Sequence, residues 1–178
     1  VKDRWPNRRR SFTEALRTNE SGLPAILVGH SYGGPVVAKM AMQTSAKIAG
    51  VIFVAASVDP TLEKTKWYQY PASWWPIRLL VPSELRVCNE EIFALKAELE
   101  EMLPAWKSLR AKVAIIQGAE DDLVDPANQN FLLRMLPPEL VVSSRSVPGL
   151  NHFVPWKSPD LILQAISELE ESLKLLPR

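Results

Sequence analysis

The chain has 178 residues, 47% hydrophobic and 23% charged, with a net charge of +1. That length allows one domain with a substantial core, and the near-neutral balance gives no electrostatic case for a nucleic-acid partner. The single cysteine, Cys88, excludes an internal disulfide and fits a reducing, cytoplasmic compartment, and no apolar run approaches the roughly 18 residues of a membrane span.

In chain order, Arg8-Arg9-Arg10 reads as a solvated face and residues 11–20 as a short helix. Ala25 to Gly29 is a compact apolar run, the pattern of a strand buried on both faces. A helix is expected from about Pro35 to Thr44, with proline in its first turn and Val36, Val37, Met40 and Ala41 on one face. Ile48 to Ala56 and Lys112 to Gly118 are two further buried strands. Leu140 to Val147 alternates more and suits a sheet edge. Asp125-Pro126 is expected to cap and start a helix to about Leu136. Ser158-Pro159 starts the last one, with Ile162, Ala165, Ile166, Leu169 and Leu173 on one side. Strands alternating with helices predict an α/β protein with a mostly parallel sheet flanked by helices. Residues 59–110 interrupt that alternation. An aromatic, proline-rich stretch from Trp67 to Pro82 leads into a helix from about Glu90 to Leu103, with Ile92, Leu95, Leu99 and Met102 on one side. This segment reads as a helical insertion, with 1–58 and 111–178 forming the core.

The segment Gly29-His30-Ser31-Tyr32-Gly33 fits G-x-S-x-G between a buried strand and a helix. A serine at so tight a strand-to-helix turn is forced into a strained backbone conformation, and glycines around it leave room for the turn. The turn lifts the hydroxyl clear of the sheet's carboxyl edge. The N–H of Tyr32 then lies at the helix start, where it could meet an oxyanion. The chain has two histidines. His30 adjoins Ser31, and its side chain is expected to point away from it, which leaves His152 as the base. His152 follows the last strand on a loop at the same sheet edge. The loop after Gly118 offers Glu120, Asp121, Asp122 and Asp125 as the acid that orients the base. Asp121, close to the strand end, is favoured. Asp122 and Asp125 remain alternatives, and Asp125 also suits a helix cap.

These blocks, LVGHSYGG, IIQGAEDDLVDP and NHF, resemble the nucleophile, acid and histidine segments of the α/β-hydrolase fold in their Ser…Asp…His chain order, from about residue 23 onward. The resemblance implies a serine hydrolase acting on an ester or related acyl bond of a small molecule through an acyl-serine, with catalytic Ser31, Asp121 and His152 and no metal or cofactor. A serine nucleophile disfavours the aspartate-using dehalogenase and epoxide-hydrolase branches. Thioesterase, carbon–carbon hydrolase, perhydrolase and acyltransferase chemistry use the same groups. The resemblance also implies that 59–110 is a cap, with Trp67, Tyr68, Tyr70, Trp74, Trp75 and Phe153 at the substrate pocket. The alternative function is a small-ligand-binding member without chemistry, or a truncated pseudoenzyme. Similar proteins place several strands, and one oxyanion N–H, ahead of the nucleophile strand. About 24 residues precede it in this chain, so the sequence reads as a fragment, a truncated product or a minimal variant. It is expected to be poorly soluble and weakly active alone. The sequence does not specify an oligomeric state.

Overall fold

The computed structural model describes residues 24–43, 48–63 and 95–174. By its contacts the chain divides into two compact units, Val1–Val58 with Ala105–Arg178, and Asp59–Pro104. The expected helix over residues 11–20, the aromatic stretch Trp67 to Pro82 and the start of the expected Glu90 helix lie outside the described residues.

Among the described residues the larger unit is built on four parallel strands in the order β1-β2-β3-β4. They are β1 (Ala25–His30), β2 (Ile48–Val54), β3 (Lys112–Gly118) and β4 (Val141–Val147). The two central strands are the continuous apolar runs. Every residue from Gly50 to Val54, and from Val113 to Gly118, is buried, as burial on both faces requires. β4 alternates partly buried and exposed positions and lies at one edge among the described residues. β1 lies at the other edge among the described residues, and its Val28 is 44% exposed.

Alternate residues of β2 and β3 face two separate layers. Ile52, Val54, Ala114 and Ile116 pack with Val154, Ala165 and Leu169. The last two are the buried stripe of the terminal helix Pro159–Lys174. Phe53 faces the other side, where its ring lies 6.1 Å from that of Trp106, itself 5.7 Å from Phe131. Trp106 belongs to a 3₁₀ segment, Leu103–Ser108, and Phe131 to the helix Asn128–Met135. Helices therefore flank the sheet as the strand–helix alternation predicts. Arg145 of β4 pairs with Glu168 of the terminal helix, and the guanidinium lowers that carboxyl's pKa.

Among the described residues the helices, in the order of the chain, are α1 (Gly33–Gln43), α2 (95–102), α3 (Asn128–Met135), α4 (Val154–Lys157) and α5 (Pro159–Lys174). Two differ from expectation. α3 begins three residues after Asp125, whose carboxylate accepts the Ala127 N–H at 3.0 Å in the preceding turn and does not cap the helix. α4 is a single turn with no apolar periodicity to announce it.

In the smaller unit Asp59 Oδ1 accepts the Thr61 N–H at 2.9 Å and the Thr61 hydroxyl at 2.7 Å. α2 buries Leu95, Leu99 and Met102, the expected i, i+4, i+7 stripe. Ile92 lies outside the described residues. No described helix is long and apolar enough to cross a membrane.

Candidate active site

The turn between β1 and α1 puts Ser31 at φ 55°. The left-handed region costs a residue with a side chain about 1–3 kcal/mol and persists only where surroundings impose it. At Ser31 they do so through both backbone groups. The Ser31 N–H donates to Val54 O at 3.0 Å, and the Ser31 carbonyl accepts from Gly34 N at 2.9 Å and Ser57 N at 3.3 Å. The glycines divide the remaining work unequally. A Cβ on Gly29 would stand 2.5 Å from Val37 Cγ2, and one on Gly34 would collide with the Ala56 side chain. Among the described residues, nothing lies within 4 Å of such an atom on Gly33. The close approach of α1 to the sheet thus depends on Gly29 and Gly34.

The loops after β3 and β4 are laced together at the same edge of the sheet. Ala119 N donates to Val147 O at 3.0 Å and Glu120 N to Leu150 O at 2.9 Å. A Cβ on Gly118 would lie 2.5 Å from the carbonyl oxygens of both Leu150 and Asn151, so only glycine lets the second loop pass this close. The lacing brings Asp121 and His152 into contact, with His152 Nδ1 2.8 Å from Asp121 Oδ2. Both side chains are buried: that of His152 is 8% exposed and that of Asp121 0%.

The buried carboxylate is well supplied with donors. Oδ1 accepts the backbone N–H groups of Leu123 and Val124, each at 2.9 Å. Oδ2 accepts from His152 and from Gln117 Nε2 at 3.2 Å. Such bonds offset the cost of taking a carboxylate out of water. With Nδ1–H donating to the Asp121 carboxylate, the neutral His152 ring carries its lone pair on Nε2. Among the described residues the Ser31 hydroxyl makes no hydrogen bond, to His152 or to any other group.

Of the alternative acids, Asp122 and Asp125 are exposed. Tyr32 sits directly before α1. Phe153, 48% exposed, has its ring 5.9 Å from that of His152. Trp67, Tyr68, Tyr70, Trp74 and Trp75 lie outside the described residues. Among the described residues, no cluster of His, Cys, Asp or Glu could hold a metal ion.

Two participants do not stand out in the sequence. Gln117 is 1% exposed and bonds to Asp121. Its signal is a polar residue inside the run KVAIIQG, since a buried amide needs a partner. His30 is expected only to point away from Ser31, yet its Nε2 lies 2.9 Å from the His152 carbonyl oxygen and its ring 4.6 Å from the His152 ring. Only a contact between residues far apart in the chain reveals that placement.

A family model described as "Alpha/beta hydrolase family" matches residues 4–165. The chain belongs to that family. Solved α/β hydrolases share its fold. A predicted CIB-like hydrolase from Thermoplasma acidophilum is 16% identical with a TM-score of 0.57, over 92% of this chain and 57% of that one. The monoacylglycerol lipase of Paleococcus ferrophilus is 17% identical with a TM-score of 0.64, over 94% and 73%. A meta-cleavage product hydrolase is 16% identical with a TM-score of 0.59, over 94% and 70%. The chain therefore spans little more than half the length of the first of these structures and about 70% of the other two. Comparison with curated protein sequences gives no match.

Proposed function

We propose that this α/β hydrolase cleaves an ester or related acyl bond of a small molecule through an acyl-serine intermediate. The observation that carries the reading is the buried 2.8 Å contact between His152 Nδ1 and Asp121 Oδ2, on loops at the sheet edge where the Ser31 turn lies. Ser31 Oγ attacks the acyl carbon while its proton passes to His152 Nε2. The oxyanion forms against the Tyr32 N–H. Collapse breaks the bond to the leaving alcohol, which takes the proton from His152. Water then adds to the acyl-serine by the same route, His152 receiving its proton and returning it to Ser31 as the acid departs. Asp121 fixes the tautomer and stabilises the imidazolium that forms at each addition. Phe153, beside His152, is assigned to the substrate pocket. Residues 59–110 are proposed as a cap, and Trp67, Tyr68, Tyr70, Trp74 and Trp75 as candidate substrate-pocket residues.

The test is labelling by a fluorophosphonate, together with turnover of a short-chain p-nitrophenyl ester. We expect a single labelled serine, Ser31, and no labelling of Ser31→Ala. Equal labelling of that variant would remove the assignment. A Ser31 hydroxyl without a hydrogen bond among the described residues also suits a member that binds a small ligand without chemistry. Wild-type protein that neither labels nor turns over ester would favour it.

A further inference from the structure

We propose that His30 is a positioning residue that clamps the His152 loop to the Ser31 turn and so holds the His152 imidazole for proton transfer. The proposal rests on the reading of Ser31 as nucleophile and His152 as base. Its basis is a contact spanning 122 positions of sequence, the 2.9 Å bond between His30 Nε2 and the His152 carbonyl oxygen. A carbonyl can only accept, so Nε2 of His30 carries the proton and donates it.

The clamp adds something that Asp121 cannot. Asp121 holds His152 at one ring atom, Nδ1, and a ring held at one atom can still swing about that bond. His30 holds the same residue by its backbone and packs on its ring, with centroids 4.6 Å apart and planes inclined by 44°. His30 is itself fixed from two sides. It ends β1 immediately before the constrained Ser31, and its ring lies 5.4 Å from that of Trp156 with the planes at 79°. One side chain therefore links the residue before the nucleophile to the backbone of the base. Its charge state fits the task, since burial lowers the His30 pKa. A neutral ring against His152 adds no like charge when His152 takes up a proton.

The chain's two histidines make the test clean. His30→Phe keeps a ring but removes the donor, leaving His152 as the sole imidazole in a long-range ¹H–¹⁵N spectrum. His30→Gln restores a donor of similar reach. In wild-type protein we expect one ring protonated at Nε2 and the other at Nδ1. In His30→Phe the His152 ring should lose its single tautomer and show exchange between both. Ester kcat and the fluorophosphonate labelling rate should fall about 10- to 100-fold, the range of one misplaced catalytic group, with KM within about twofold. His30→Gln should recover most of kcat at an unchanged melting temperature. A residue of purely structural importance would not give that split between kcat and KM or that rescue. An unaltered His152 tautomer in His30→Phe, or wild-type labelling by that variant, overturns the proposal. Unchanged labelling of Ser31→Ala instead overturns the serine-hydrolase reading, and the spectra still decide whether His30 orients His152.

Discussion

Asp121 turns its carboxylate inward to His152 Nδ1 at 2.8 Å, while Glu120, Asp122 and Asp125 around it on the same loop remain exposed. The difference comes from the loop's backbone. The N–H groups of Leu123 and Val124 fold back onto Asp121 Oδ1, which fixes the carboxylate with its second oxygen toward the imidazole.

Asp121→Asn should therefore lower kcat by about ten-thousand-fold with little loss of fold. An asparagine can still accept from Leu123 and Val124 through its oxygen. It then offers His152 Nδ1 an NH₂ group, so donor faces donor and the imidazole favours the wrong tautomer. Asp125→Asn should change kcat by less than about twofold, because the Asp125 carboxylate bonds within its own turn, to Ala127 N; weakening that single bond costs about 1 kcal/mol of stability. Ester kinetics on the two variants, with urea midpoints as controls, decide between them. A larger kinetic effect at Asp125 would refute the assignment.

The glycines of the turn should separate by substitution. Gly34→Ala drives a methyl into Ala56 and should cost about 1–3 kcal/mol as an overpacked contact. Gly33→Ala meets nothing among the described residues and should be neutral or slightly stabilising, since alanine is the better helix former by up to about 1 kcal/mol. Gly118→Ala should damage activity more than stability, because it pushes on the carbonyls of Leu150 and Asn151 just ahead of His152. Melting temperatures and labelling rates of the three variants test the ranking.

What could be read from the sequence follows the range of each interaction. β3 was legible to the residue, because Lys112–Gly118 is a continuous apolar run ended by a glycine, and the edge position of β4 followed from its alternation. The strained turn at Ser31 was legible because its constraint is local, a tight turn built from neighbouring glycines. The start of α3 was misplaced because Asp125 and Pro126 carry a genuine start signal, which the chain spends on a turn closed by Asn128 N donating to Asp125 O at 3.0 Å. The contact of Asp121 with His152 depends on the lacing between loops, and that of His30 with His152 joins distant parts of the chain. Neither leaves a periodic trace.

Stability should fall as the solution is acidified through the range of His30. Desolvation by burial lowers its pKa from the ordinary 6.5, the His152 charge works in the same direction, and the bond to the His152 carbonyl and the charge of Asp121 oppose them. The unfolded chain then binds a proton that the folded chain still resists. Stability declines from about pH 6.5 down through the lower folded value and levels off beneath it. His30→Gln should flatten that part of the slope. Urea midpoints taken between about pH 8 and pH 5 provide the measurement, and an unchanged slope in the variant would contradict a lowered His30 pKa.

Leu169 tests the layer that supports both loops. It is fully buried and packs, with Ala165, against Ile52, Val54, Ala114 and Ile116. Val154, just after His152, is in the same cluster, and Leu150, just before it, packs against its border. Leu169→Ala should cost about 2–5 kcal/mol, the usual range for emptying a leucine site in a core that relaxes only partly. Because the cavity would open beneath the segment carrying His152, the labelling rate should drop below what the unfolded fraction accounts for. Leu163→Ala, on the exposed side of the same helix at 61% exposure, should change neither quantity measurably. Equal destabilisation by the two substitutions would mean that α5 does not pack on the sheet by its Ala165–Leu169 face.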